Sequence, residues 1–142
     1  MRFHAVALAA VGALLTLSCS SVKPMAIQAG DQCFRCRRPI VEKTLAAQML
    51  DGGFASKFRT SGCMAKYLAD HPAETGTTFV ADYATGKWVS PDRALFVPVV
   101  LNPDTGERDY RAYSQKADAD AAAAELHSVP VDWKTVLEKA RS

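Results

Sequence analysis

Between Thr44 and Arg59 the chain alternates in character. Leu45, Ala47 and Met49 interleave with Thr44, Ala46 and Gln48, the period-two pattern of a half-buried strand. Asp51-Gly52-Gly53 supplies the positive-φ positions of a tight turn, and Phe54, Ser56 and Phe58 alternate with Ala55, Lys57 and Arg59 on the way back. Thr60 or Ser61 then caps a helix that runs to about His71, with Pro72 helping to stop it. The second half follows the same order. Leu95 to Leu101 is an apolar strand, Asn102 to Gly106 a turn, and Glu107 to Tyr113 the return. Ser114 is placed to cap an alanine-rich helix reaching about His127. Between the halves, Phe79 to Tyr83, a Thr85-Gly86 turn and Trp88-Val89 predict further strand. Asp132 caps a final helix that buries Val136, Leu137 and Ala140. Pro98 marks its strand as an edge or a bulge. Two hairpin–helix (ββα) halves with antiparallel sheet predict an α+β fold in a single compact domain.

Ahead of this domain the grammar changes. Met1 to Ser18 carries Arg2 and then an uncharged apolar run, Ala5 to Leu17, too short to span a bilayer but flanked like a secretory signal. The run ends at Leu15-Thr16-Leu17-Ser18-Cys19, similar to a bacterial lipobox, whose cysteine takes a diacylglyceryl thioether. The expected organisation is a signal peptide over 1–18, a lipid-anchored tether over 19–30 and an α+β domain over 31–142. Ser20 after the cysteine resembles lipoproteins sent to the outer membrane, facing the periplasm. The alternative is a secreted protein cut nearby, with Cys19 free or bridged. With 17 basic and 15 acidic side chains the chain is close to neutral, which gives no reason to expect a nucleic-acid partner.

The chemistry lies in the other cysteines. Cys33-Phe34-Arg35-Cys36 brings two thiols close enough to share one metal ion or to form a disulfide. Arg35, Arg37 and Arg38 flank them, and guanidinium groups favour thiolate, the form that binds metals. Cys63 falls in the first turn of its helix, where the macrodipole is expected to act in the same direction. Met64 adds a thioether, a ligand that selects Cu(I) over hard cations, although it points about 100° away from Cys63 on an ideal helix. Cys33, Cys36, Cys63 and Met64 are therefore candidate metal ligands. The same residues also suit plainer roles: a structural disulfide, an envelope thiol–disulfide pair at Cys33 and Cys36, or Met64 as core. His71 and His127 fit helix ends better than a ligand set. No Ser/His/Asp set or carboxylate pair points to catalysis, and Arg37 stands where haem attachment needs histidine.

Taken in order, the motifs resemble the NosL family of lipoproteins. Asp31-Gln32-Cys33-Phe34-Arg35-Cys36 followed by Pro39-Ile40-Val41 is similar to the family's opening D-x-C-P-V-C-G-M-x-V. Gly62-Cys63-Met64-Ala65-Lys66-Tyr67-Leu68 resembles its C-M-F-K-Y segment. Asp82 to Val89, with Arg93 to Val97, resembles its D-Y-x-T-x-x-W and A-x-F-V. The resemblance runs from Asp31 to about Glu138. It implies a lipid-anchored, non-enzymatic Cu(I)-binding protein of the bacterial envelope, with an α+β fold of two related halves. The implied partner is a metalloprotein that receives or donates copper, such as nitrous oxide reductase. Cys36 matches the family's ligand cysteine, whereas Arg37 and Arg38 replace the Gly and Met that follow it, and a downstream P-M-G is missing near Asn102 to Gly106. Copper is then held differently here, through Cys33, Cys36 and Cys63, or not at all.

The N-terminal pattern carries its own test. Expressed in a bacterial envelope, the protein is expected to incorporate labelled fatty acid, and Cys19→Ala is expected to incorporate none. An unacylated wild type would remove the lipid anchor.

Overall fold

The computed structural model describes residues 21–142, so the expected leader and Cys19 lie outside the described residues. Four strands, β1 (Ala47–Asp51), β2 (Phe54–Phe58), β3 (Thr77–Ala81) and β4 (Trp88–Val89), form an antiparallel sheet in the order β2-β1-β3-β4. Helix α1 (Ser61–Asp70) joins β2 to β3. A second sheet is the hairpin of β5 (Leu95–Asn102) and β6 (Glu107–Tyr113), followed by α2 (Lys116–Glu125) and α3 (Trp133–Arg141). The fold is α+β, and each hairpin is followed by a helix. No helix among the described residues is long and apolar enough to cross a membrane.

The first hairpin closes where the sequence puts its glycines. Gly52 and Gly53 adopt φ of +52° and +87°, and Asp51 pairs with Phe54. β3 then pairs on the far side of β1, which makes β1 an interior strand. Ala47 to Leu50 are buried on both faces, which corrects the expectation of a half-buried strand. The covering layer is the N-terminal segment. Gln48, fully buried, accepts from the Met25 N–H and donates its amide to the Met25 carbonyl, both at 2.8 Å. Lys57 Nζ donates to the Ala26 carbonyl, and Ile27 packs with Ile40 and Ala46. Part of the span expected as tether therefore lies on the sheet. Thr44 and Leu45 belong to a 3-10 turn, Lys43–Leu45, rather than to the strand.

Pro98 stands opposite Tyr110 in the two-stranded sheet, where both strands are edges, and the ladder shifts register between Val100 and Asn102. The two sheets meet where Asp82 bridges to Ala112 and the Tyr83 N–H donates to the Ala112 carbonyl at 2.7 Å. The Asp82 carboxylate, 1% exposed, accepts from the Ala84, Thr85 and Ser114 N–H groups and from the Ser114 hydroxyl. Ser114 is thus drawn to Asp82 rather than capping α2, whose N-cap Gln115 makes no side-chain bond. Asp132 does cap α3, accepting from the Thr135 N–H at 2.9 Å. Phe58, Met64, Phe96, Trp133 and Val136 meet in one core that joins both sheets to α1 and α3.

Burial alone would raise the Asp82 pKa. The Ser114 hydroxyl and the Ser114, Ala84 and Thr85 N–H groups outweigh it and hold the carboxyl below its ordinary 3.8. A depressed folded pKa stabilises the fold fully above 3.8, and the gain is lost as pH falls through the lower folded value. Asp82→Asn is expected to cost about 3 kcal/mol near neutrality, because buried donors lose an anionic acceptor. Urea melts at pH 7 and pH 3 check it: the gap between variant and wild type narrows at the lower pH.

Candidate metal centre

The C-x-x-C segment is a tight loop, closed by its own backbone and fastened to β2. The Cys33 N–H donates to the Arg38 carbonyl at 2.8 Å, and the Arg37 N–H to the Cys33 carbonyl at 2.9 Å. Arg37 accommodates the reversal at φ +62°, a left-handed conformation that costs a side-chain-bearing residue about 1 kcal/mol. The Phe34 N–H donates to the Lys57 carbonyl at 2.7 Å. Its ring packs edge-on against Phe58 and Tyr67, at 6.2 and 5.4 Å between centroids. The loop is thereby pinned to β2 and to α1 at once.

Cys63 is brought to this loop by the start of α1. Thr60 is the N-cap, its hydroxyl oxygen accepting from the Cys63 N–H at 3.1 Å. That hydroxyl donates to Asp109 of β6 at 2.6 Å, and the same carboxylate accepts from the Gly62 N–H at 2.9 Å. Gly62 is required by this contact, because a Cβ there would stand 2.6 Å from Asp109 Oδ1. Burial raises the Asp109 pKa despite the Thr60, Tyr110 and Gly62 hydrogen bonds, so this anchor holds against a real desolvation cost.

The sulfurs of Cys33, Cys36 and Cys63 lie within 4.8 Å of one another, with Cys63 and Cys36 at 3.9 Å across 27 positions of sequence. Metal–sulfur bonds of about 2.3 Å put sulfurs roughly 4 Å apart in a trigonal plane and about 3.8 Å apart in a tetrahedron. The triangle therefore fits one soft ion with little adjustment. Cys33 is fully buried, Cys63 is 9% exposed, and Cys36 is the partly exposed member. Donation from the Cys63 thiol, with the backbone N–H groups of Cys36 and Arg59, brings the Cys33 pKa down to about 4 against its burial. The neighbouring Cys33 sulfur, and then burial, push Cys63 up. Cys33 and Cys63 thus share one proton: a thiolate on one is held by the thiol of the other, and its charge opposes a second ionisation whatever the helix dipole adds. A bound cation relieves that conflict by accepting all three sulfurs as thiolates.

The flanking arginines also depart from expectation. Arg35 pairs with Asp70 at 3.5 Å, Arg37 lies 5.5 Å over the Phe34 ring, and Arg38 donates to Glu107 at 2.9 Å. The cation that bears on the cluster is Arg59, the last residue before the Thr60 cap, whose guanidinium is near enough to interact with Cys36 and Cys63. In the sequence it reads as one more polar position on an alternating strand, so only the fold reveals it. Met64 is fully buried in the core around Phe58 and Phe96. His71 stacks on Tyr67 at 4.2 Å between ring centroids, and His127 takes φ +49° after α2, so both serve helix ends. A cavity of about 310 Å³ between α1, α3 and the second hairpin has none of the cysteines in its lining.

No protein-family model matches the sequence, and no curated protein matches it. Among solved structures, the copper chaperone NosL from Shewanella denitrificans superimposes with a TM-score of 0.65. The match covers 79% of this chain and 93% of that one, at 16% identity. The chain has the fold of NosL. At that identity the likeness speaks for architecture, and the sulfur triangle must be read from this chain's own residues.

Exposure sets the order in which the thiols meet reagents. Brief alkylation of the reduced, metal-free native protein is expected to modify Cys36 first and to leave Cys33 until unfolding. Peptide mass spectrometry reads the order, and Cys33 labelling ahead of Cys36 would contradict the burial described.

Proposed function

We propose that this protein is a divergent member of the NosL family that binds Cu(I) through Cys33, Cys36 and Cys63 and passes it to a partner metalloprotein. The observation that carries this reading is the triangle of three sulfurs, spaced for a single soft ion and built on the fold of a copper chaperone. Three thiolates without a hard ligand favour Cu(I) over Mg²⁺ or Ca²⁺. Transfer proceeds by ligand exchange. Cys36, the sulfur nearest solvent, is the one an incoming ligand reaches first, while Cys33 and Cys63 retain the ion until a better-matched set closes on it. The protein does not catalyse a reaction in this role. Lipidation at Cys19 holds it in the bacterial envelope facing the periplasm, on the outer membrane, and the recipient is a copper enzyme such as nitrous oxide reductase.

A second reading rests on the 3.9 Å between Cys36 and Cys63, from which a disulfide requires only modest movement. In that reading the protein is an envelope thiol–disulfide protein, and the reactive pair spans the loop and α1 rather than lying within the C-x-x-C.

Anaerobic titration of the reduced domain against a colorimetric Cu(I) chelator separates the two. One Cu(I) per chain is expected. Cys36→Ser is expected to weaken binding on the order of a hundredfold or more, beyond what loss of an outer-shell group costs. Met64→Leu is expected to change it far less, because a neutral thioether supplies neither the charge nor the covalency of a thiolate. Equal affinity for Cys36→Ser and wild type would overturn the metal site. A wild type that binds no Cu(I) but forms a Cys36–Cys63 disulfide on mild oxidation would establish the second reading.

A further inference from the structure

Three charged side chains from three parts of the fold converge beside the sulfur triangle. Glu107, at the start of β6, accepts from Arg38 at 2.9 Å and also from Arg59. Arg38 is the exposed member, at 55% of its side chain, whereas Arg59 is 17% exposed. One carboxylate shared by two guanidinium groups leaves the trio net positive; Asp109 also feels Arg59, but burial pushes its carboxyl towards the neutral form. The inner arginine is the one that acts on the sulfurs, since Arg59 is near enough to Cys36 and Cys63 to feel both while Arg38 faces solvent. The Arg59 Nε is buried and has no hydrogen-bond partner among the described residues. Buried donors are almost always satisfied, so an orphan at this place marks an acceptor that the resting cluster does not fully supply. The Arg59 backbone N–H meanwhile favours the Cys33 thiolate, so a single residue acts on the cluster through main chain and side chain together.

The need for such a charge follows from counting. Three thiolates around a monovalent ion leave a complex of charge −2, and around a divalent ion −1. Burying the first is the more costly, because the unfavourable charge scales with its size in a low-dielectric setting. We propose that Arg59 is the positioning and charge-matching residue of the site, its guanidinium set against the Cys36 side of the triangle to favour the doubly anionic tris-thiolate complex of a monovalent soft ion over that of a divalent one. Arg59 does not ligate the ion. It acts through Cys36 and Cys63, and Glu107 holds it in place while cancelling part of its charge. This inference rests on the proposed function and names what gives that site its preference among metals.

Two variants separate charge matching from mere structure, because both break the same ion pair. Arg59→Gln removes the positive charge, and Glu107→Gln removes the negative one. Arg59→Gln is expected to weaken Cu(I) binding by roughly 10- to 100-fold, the range seen for outer-shell partners of metal ligands. Its binding of Cd(II), a divalent thiophile followed by its thiolate charge-transfer absorption, is expected to fall distinctly less. Glu107→Gln is expected to bind Cu(I) at least as tightly as wild type, and Arg59→Lys to recover much of what Arg59→Gln loses. Thermal melts of the metal-free proteins report the shared structural cost, which both Gln variants are expected to pay. Parallel losses of Cu(I) affinity in Arg59→Gln and Glu107→Gln would overturn the charge-matching role, as would equal losses for Cu(I) and Cd(II). Those outcomes leave the metal site standing. A wild type that binds no Cu(I) would instead remove the proposed function and this inference with it.

Discussion

A single carboxylate from the second hairpin fixes the first turn of α1. Asp109 takes the Thr60 hydroxyl and the Gly62 N–H, and Thr60 in turn takes the N–H of Cys63. A helix start left without such partners frays, because its first N–H groups have no acceptor of their own. Here the fraying end would carry a sulfur away from the other two, which a shared ion needs about 4 Å apart. Placement of Cys63 is therefore a property of the contact between the two halves, and not of α1 alone. The buried carboxylate is disfavoured where it sits, yet its hydrogen bonds define the geometry.

The loop side of the site is fixed by different physics. Phe34 lies between the two cysteines in sequence and packs its ring on Phe58 and Tyr67, so apolar contact orients the turn that displays the thiols. The Lys57 carbonyl takes the Phe34 N–H and ties the same turn to β2. Arg37 holds a left-handed backbone where a glycine would be the unstrained choice. Its guanidinium over the Phe34 ring returns part of that cost as a cation–π contact. Rigid support from both sides suits a low-coordinate site, which has few ligands of its own to hold a shape.

Local signals in the sequence located most elements, and long-range partners account for the differences. The Asp51-Gly52-Gly53 turn, the Thr60 cap and the Asp132 cap are contacts among near neighbours, and all three form as their residues predict. Gln48 looked like a solvent-facing position because nothing nearby in sequence covers it; Met25, 23 residues away, does. Ser114 has the chemistry of a cap but meets Asp82, 32 residues earlier, a stronger acceptor than a helix N–H is a donor. The three cysteines were legible as candidates, since few residue types bind soft metals. Their coupling was not, because a dipole argument made for Cys63 alone omits the neighbouring Cys33 sulfur that shares its proton. Arg59 carried no signal at all. Its role depends on Glu107, 48 residues on, and on a strand end turning it inward.

The Asp109 contact also imposes an order of events on synthesis. A chain emerges from its N-terminus, so Cys33, Cys36 and Cys63 all appear before β6 does. The nascent first half has every sulfur of the triangle but lacks the carboxylate that locks the Cys63 turn in place. Until residue 109 has emerged, the two bonds that fix the start of α1 cannot form. The contact that positions Cys63 thus needs residues from both halves of the chain, and the triangle reports that they have come together.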